Sequence, residues 1–243
     1  MQKDELIKRY YSQILMDELS VEKQEMLSKK SITVIGCGGL GSPLAAYLAG
    51  AGVGKIKLVD DDTVELRNLH RQVFFSENDI GIKKVKALSD YLKNLNSNTT
   101  IEIHDKKSWE LSYDNIKSDL LIDCADNLRT SYDLNRVSSR ERAAFLTASI
   151  AAHLGQISLF SNDSQHCCLE CVFPSEGELE ANDCAEVGVL GPSVVLVSSL
   201  QSLIALDYLL EQKSHSNHIY RINTKEFLIN KNKILSDSSC KIK

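Results

Sequence analysis

SITVIGCGGLGSPLAAYLAGAGVGKIKLVDDDTVELRNLHRQ, residues 31–72, decides the fold. Its opening, Ser31 to Ile35, is a short run rich in β-branched residues and closed by glycine, which predicts a buried parallel strand. Gly36, Gly38 and Gly41 form G-x-G-x-x-G, and the small apolar residues Ser42 to Ala51 predict a helix immediately after it. A second strand, Lys55 to Val59, runs into Asp60. Glycines let the backbone turn sharply and bring bare N–H groups against phosphate at a helix N-terminus, where the dipole favours negative charge. An acid about 20 residues on accepts hydrogen bonds from a ribose. A glycine turn alone is weak, since a ligand-free strand-to-helix turn has the same pattern. Strand, glycines, helix, strand and acid in register predict a nucleotide site.

The residues after Asp60 narrow the nucleotide. Asp60-Asp61-Asp62-Thr63-Val64-Glu65 leads to Asn68-Leu69-His70-Arg71-Gln72. An NAD-linked oxidoreductase has little use for several acids and an arginine beside the phosphates. A triphosphate with magnesium needs both, the cation to offset charge and the carboxylates to hold metal.

Working outward, the alternation continues. A basic helix is predicted over about Ile80–Leu95, strands over Thr100–His104 and Asp119–Asp123, a helix over about Leu128–Glu141 and a strand over Ala144–Ala148. Alternating strands and helices imply a parallel sheet with its ligand at the strand C-terminal ends. Past residue 150 the rhythm changes. Gly155–Phe160 and Ile219–Ile234 read as strands of an antiparallel part, with a cysteine segment, a polar loop Ser175–Ala185 and a long helix from about Val187 between them. The fold class is therefore α/β, a Rossmann-like doubly wound, mostly parallel sheet continued by an antiparallel C-terminal part. Residues 1–30 predict two short helices, Glu5–Met16 and Val21–Lys29 behind a Ser20 cap, which need a neighbour to pack on.

Composition bounds the function. Among 243 residues, 43% are apolar and 25% charged, as in a soluble globular chain. A net charge of −5 gives no reason to expect nucleic acid or an anionic membrane as partner. The apolar run Val187–Leu210 contains Gly191, Pro192, Gln201 and Asp207 and reads as a core or interface helix, with no membrane span expected. Seven cysteines with no secretory leader fit a reducing cytoplasm, and metal or catalytic thiols rather than a disulfide framework.

In combination, G-x-G-G-L-G-S-P, D-D-D-x-V-x-x-x-N-L-x-R-Q, the later D-C-A-D-N and Cys168-x-x-Cys171 resemble the ThiF/MoeB/HesA family, bacterial relatives of ubiquitin-activating (E1) enzymes. The likeness runs over nearly the whole chain and implies one E1-like adenylation domain over 1–243: N-terminal helices 1–30, a nucleotide-binding unit 31–150, and a C-terminal portion 151–243. It implies a homodimeric adenylyltransferase that uses ATP and Mg2+ to activate the C-terminal Gly-Gly of a ubiquitin-like sulfur-carrier protein, with a desulfurase- or rhodanese-type sulfur donor. Short strings such as Leu146–Ser149, Cys171–Pro174 and Val189–Pro192 look closer to the thiamine branch than to the molybdopterin branch.

Residue by residue, the resemblance implies that Gly38, Gly39 and Gly41 line the nucleotide and Asp60 meets its ribose. Asn68 and Arg71 reach the phosphates, Lys84 is the phosphate lysine and Asp126 the magnesium ligand. Asp62, Gln72 and Asn127 complete the nucleotide-binding set. From spacing alone, Lys84 beside Lys83 and Lys86 reads as a solvated helix face, and Asp126 with Asn127 reads equally as a helix cap. Cys184, on the polar loop before a helix, matches the cysteine that takes the activated carrier covalently in the thiamine branch. A small buried hydrophobe is the alternative. Cys37 and Cys124, at strand ends, read as core.

Two positions depart from the family pattern. Cys168-x-x-Cys171 is a zinc-type spacing, and the family supplies a second pair near its C-terminus. Here that place holds Cys240 and then Lys243, leaving three thiolates, with Cys167, His166 or the terminal carboxylate as alternatives for the fourth ligand. The family motif R-Y-x-R-Q reads Arg9-Tyr10-Tyr11-Ser12-Gln13 here, so Ser12 stands where an arginine reaches the phosphates of the partner subunit. Either Arg9 or another cation compensates, or the chain is a degenerate relative that binds nucleotide or carrier with weak turnover.

Overall fold

The computed structural model describes residues 3–161, 167–174, 187–212, 214–240 and 242. The chain opens with α1 (Lys3–Arg9), α2 (Tyr11–Ile14) and α3 (Val21–Leu27). The sequence predicts one helix over Glu5–Met16 where α1 and α2 stand. The helix breaks at Tyr10, whose ring is buried and whose hydroxyl accepts from Asn96 Nδ2 at 2.9 Å. Pulling that ring inward turns the backbone out of helical geometry. Ser20 caps α3 as expected, accepting from the Lys23 N–H.

Next come β1 (Ser31–Ile35), α4 (Gly41–Ala51), β2 (Lys55–Val59), α5 (Lys84–Leu95), β3 (Thr100–His104), α6 (Tyr113–Ile116), β4 (Leu120–Asp123), α7 (Leu128–Glu141), β5 (Phe145–Ala151) and β6 (Leu154–Phe160). After them lie α8 (Leu169–Val172), α9 (Gly191–Leu209), β7 (His218–Asn223) and β8 (Leu228–Lys233). The expected basic helix over Ile80–Leu95 starts four residues later, because Gly81 takes φ +85 and the segment before it forms a short 3-10 turn, Glu77–Asp79.

All eight strands form one sheet in the order β3-β2-β1-β4-β5-β6-β7-β8. From β3 to β5 the pairing is parallel; from β5 to β8 it is antiparallel. The strand order reverses between β1 and β4, which is where doubly wound sheets bind ligands. Both faces of the inner parallel strands are buried, while β3 at the edge is not, and the period of two splits the inner strands between two cores. Ile32 and Val34 of β1, Leu120 and Ile122 of β4, and Leu146 and Ala148 of β5 face the core under α4, α5 and α9. Ile35, Leu121 and Phe145 face the core under α7 and α8, where Phe145 stacks on Phe160 with ring centroids 6.2 Å apart.

The N-terminal helices pack on their own chain. Gln13 and Gln24 both donate to the Ala51 carbonyl, and Arg9 Nη2 donates to the Leu95 carbonyl at 2.6 Å. They thus cover the C-terminal ends of α4 and α5, opposite the ends that the glycine turn and Lys84 begin. Among the described residues, α9 alone is long and apolar enough to cross a membrane, and half of it is buried in this fold, against α4, β5 and β6.

Candidate nucleotide site and thiol cluster

The glycine turn closes on itself before anything binds. Gly36 takes φ +90, and a Cβ there would stand 2.7 Å from the Cys124 carbonyl oxygen. Gly41, the first residue of α4, is buried, and any Cβ would collide with the Gly36 carbonyl. Gly41 therefore lies beneath the turn as its packing glycine, while Gly38 and Gly39 are half-buried and form its face. Of the three glycines expected to line a nucleotide, Gly38 and Gly39 are the two that are not fully buried.

Asp60 locks the turn. Its Oδ2 accepts from the Cys37 N–H at 2.6 Å and its Oδ1 from the Asp62 N–H at 2.8 Å. Burial raises its pKa, with Lys84 and these N–H groups pulling the other way. The carboxylate keeps lone pairs beyond these two hydrogen bonds. Lys84, the first residue of α5, is buried, and its Nζ lies 2.8 Å from Asp62 Oδ2, whose side chain is 66% exposed. Lys83 and Lys86, in contrast, pair with Asp105 and Asp90 near the surface. The solvated-face reading of Lys84 is thus overturned by geometry. Carboxylate oxygens of Asp60, Asp61 and Asp62 lie within 4.8 Å of one another.

Asn68, Arg71 and Gln72 come to the turn from the other side. The Leu66–Asn68 3-10 turn continues with Arg71 and Gln72 N–H groups donating to the Asn68 carbonyl. Arg71 Nη2 donates to Asn68 Oδ1 at 3.1 Å and Nη1 to the Arg67 carbonyl at 3.2 Å, so the guanidinium is braced before use. A Cβ on Gly39 would stand 3.7 Å from Arg71 Cγ, and one on Gly38 would stand 3.3 Å from Gln72 Nε2. Gln72 is 3% exposed, and its Oε1 is buried without a donor. A buried acceptor of this kind costs roughly 1–3 kcal/mol until a donor arrives. Phosphate oxygens bring none; a hydroxyl or an amide N–H does.

The fourth side is the exit of β4. Asp126 is exposed at the strand's C-terminal end, and Asn127 is the N-cap of α7, its Oδ1 accepting from the Thr130 N–H at 2.9 Å. The capping role therefore belongs to Asn127, which leaves Asp126 outside the cap. The residue not singled out in the sequence is Asp123. It is fully buried, accepts from Thr147 Oγ1 at 2.9 Å and from the Ala125 N–H at 3.0 Å, and burial pushes its pKa up to about 6. Its signal was there to read: an acid closing an otherwise apolar buried strand, Leu120-Leu121-Ile122-Asp123. Arg71 thus stands against Gly39, Lys84 against Asp62 and Asp60, and Asp126 follows two residues after Cys124, whose carbonyl lies against Gly36.

The second constellation lies under α7. Cys168 Sγ is 3.9 Å from Cys171 Sγ and 3.6 Å from Cys240 Sγ, and the three sulfurs lie within 4.8 Å of one another. Burial pushes the Cys168 thiol up to about 12. Burial also acts on Cys171, but backbone hydrogen bonds at Asp237 and Cys168 outweigh it and hold this thiol below the usual range. Zinc bound at about 2.3 Å to sulfur sets a tetrahedral edge of about 3.8 Å, so the spacing fits three ligands of one ion. Cys167 does not serve as a fourth: it is buried in the apolar cluster with Phe145 and Leu169. His166, Lys243 and Cys184 lie outside the described residues. Cys37 and Cys124 are buried, and burial pushes both thiols well up, as core cysteines require.

Comparison with known proteins gives the same outline. The chain matches the ThiF family over residues 10–242. It is 36% identical over 203 residues to the "Sulfur carrier protein ThiS adenylyltransferase" of Escherichia coli (strain K12), covering 83% of this chain and 80% of that protein. It is 37% identical over 213 residues to the "Adenylyltransferase and sulfurtransferase MOCS3" of Anopheles gambiae, covering 85% of this chain but 47% of that one. This chain therefore spans about half the length of the MOCS3 relative. Among solved structures, E. coli MccB in a crystal with ATP superposes with a TM-score of 0.82 at 20% identity, covering 96% of this chain and 73% of that one. MccB with MccA-N7isoASN gives 0.84 at 22%, covering 97% and 74%. At these identities the structures speak for the fold.

Proposed function

The chain belongs to the ThiF family, and from that membership we propose that it adenylates the C-terminal carboxylate of a ubiquitin-like sulfur carrier, consuming ATP and releasing pyrophosphate. The observation that supports this reading is that Arg71 and Gln72 stand against Gly38 and Gly39, with Lys84 buried beside Asp60 and Asp62, at the β1–β4 switch point. In-line attack on the α-phosphorus asks the protein mainly for position and for charge to offset. Arg71, braced by Asn68, and Lys84, buried beside Asp62, supply the fixed cations. Asp60 holds the turn and offers its remaining lone pairs to the ribose. Gln72 Oε1 waits for a donor, which a ribose hydroxyl or the carrier's terminal peptide N–H provides. Magnesium, an ion of oxygen ligands, fits the carboxylates here; Asp126 would hold it, and it would supply charge to offset the phosphates.

Thiamine-type carriers are the preferred substrate, on the short strings around Leu146, Cys171 and Val189, with transfer of the acyl group to Cys184 as a second step. The 37% identity to MOCS3 against 36% to the ThiS enzyme keeps a molybdopterin-type carrier as the other reading. Cys168, Cys171 and Cys240 hold a structural zinc. The protein acts as a homodimer in the cytoplasm. Exposed Tyr11, Leu15 and Met16 on the N-terminal segment support the dimer, and the free cysteines support a reducing compartment. The test is ATP–pyrophosphate exchange with purified carriers of both types ending in Gly-Gly. Exchange with the thiamine-type carrier alone is expected. Exchange with the other type alone overturns the pathway, and ATP binding with no exchange overturns the enzyme.

A further inference from the structure

The helix α9 is mostly apolar, yet Ser193, Ser198, Gln201 and Ser202 are buried in it. A buried polar side chain in an apolar helix costs free energy unless it is paired, so the partners say what it is for. Ser193 and Ser202 have local or distant hydroxyl and carbonyl partners, Thr224 and Ser198. The other two reach the nucleotide site. Ser198 Oγ donates to the Leu40 carbonyl at 2.7 Å, inside the glycine turn. Gln201 Nε2 donates to the Asp123 carbonyl at 3.1 Å, and its Oε1 accepts from Cys124 Sγ at 3.5 Å. Both side chains are wholly buried.

The places they grip are where the sheet lets go. Asp123 is the last residue of β4 to pair with β1 and β5, so the carbonyl that Gln201 takes lies at the very end of the ladder. Three residues later stands Asp126. The same helix touches the pocket twice more: Val194 lies against Gly39, and Gly191 against the His70 carbonyl. One rigid element therefore spans the glycine turn, the arginine loop and the β4 exit.

We propose that Gln201 is a positioning residue that fixes the β4 exit so that Asp126 meets magnesium, and that Ser198 is its counterpart for the glycine turn. This rests on the nucleotide reading above but not on the carrier or on turnover. The substitution Gln201→Met keeps volume and removes both hydrogen bonds. Calorimetric titration of ATP at varied Mg2+ is expected to show the Mg2+ half-saturation rising roughly tenfold, the worth of one well-placed hydrogen bond. ATP affinity at saturating Mg2+ should stay within about threefold. Ser198→Ala should do the reverse, weakening ATP at every Mg2+ concentration without moving the half-saturation. If Gln201→Met fails to fold, Gln201→Asn carries the same readouts. Lowered melting temperature with wild-type Mg2+ and ATP titrations in the soluble variants overturns the proposal and leaves both residues as packing. Absence of ATP binding by the wild-type protein overturns it together with the nucleotide reading, whereas binding without pyrophosphate exchange overturns only the enzyme.

Discussion

Around the glycine turn the main charges already have partners: Lys84 has Asp62, Arg71 has Asn68 and the Arg67 carbonyl, and Asp60 has two backbone N–H groups. At the thiol triangle three sulfurs face one another, and the pKa of Cys168 is driven up to about 12. The first region is organised by the protein and can stand ready for its ligand. The second brings together three thiols that would repel once ionised, a set that a bound cation would hold together. They also differ in reach along the chain. Most of the pocket is made of near neighbours, residues 36–72 and 84, with the β4 exit and α9 added from further along the chain. The triangle joins Cys168 to Cys240, across 72 positions. Loss of the ligand should therefore leave the first region folded and undo the second.

The largest effect is expected at the thiols. Structural zinc is worth roughly 10 kcal/mol of folding free energy in small domains. Stripping the metal with a chelator, or Cys168→Ser, should release stoichiometric zinc and lower the melting temperature steeply while the Asp60–Lys84 region retains ATP affinity in any material that stays folded. Metal analysis of the untreated protein that finds no zinc breaks the comparison.

Lys84→Met is the converse. It should cut pyrophosphate exchange by roughly 10²–10³-fold, the usual worth of one fixed charge at a reacting phosphate. The melting temperature should fall modestly, since Asp62, the partner left behind, is mostly exposed, while buried Asp60 loses a nearby cation that offsets its charge. A large loss of stability with activity per folded molecule intact would mean that the lysine is a structural pair only.

The parts of the molecule legible in the sequence divide along the same line. The βαβ rhythm, the glycine turn and the antiparallel C-terminal strands were readable because each depends on local periodicity. Three things were not. The break at Tyr10 depends on a ring finding Asn96 across 86 positions. The burial of Lys84 depends on where α5 begins, which Gly81 sets, while its neighbours Lys83 and Lys86 look identical in composition. Gln201 carries no motif, and Asp123, though it opens D-C-A-D-N and closes an apolar strand, shows what it does only in the neighbours it meets.

Asp123 offers the next test. Its pKa is raised from 3.8 to about 6 by burial, with Asp126 adding to the rise and Ser131, Ala125 and Thr147 resisting it. Between those two values the folded chain keeps a proton that the unfolded chain has lost. Stability from this group is therefore complete below about pH 4 and declines as pH rises to about 6, by about 3 kcal/mol, then levels off. Asp123→Asn keeps an acceptor for the Ala125 N–H and can still bond the Thr147 hydroxyl. Melting temperature followed from pH 4 to 7 should show this decline in the wild type and a flatter curve in the variant. Parallel curves would mean that Asp123 titrates elsewhere.

The smallest effect separates two roles at one residue. The family likeness puts Asn127 among the nucleotide contacts, but its Oδ1 is already committed to the Thr130 N–H as the cap of α7. A cap is worth about 1 kcal/mol, and serine or aspartate replaces asparagine there with little loss. Asn127→Ala should then lower the melting temperature by a few degrees with ATP affinity unchanged, and Asn127→Ser should restore it. Because α7 starts immediately beside Asp126, a frayed cap also loosens the β4 exit, so ATP affinity must be read at saturating Mg2+ to isolate direct contact. If affinity still falls in Asn127→Ala and Asn127→Ser restores stability but not affinity, the Nδ2 amide that the cap leaves free is bonding the nucleotide, and the pocket extends one residue further along α7 than its geometry requires.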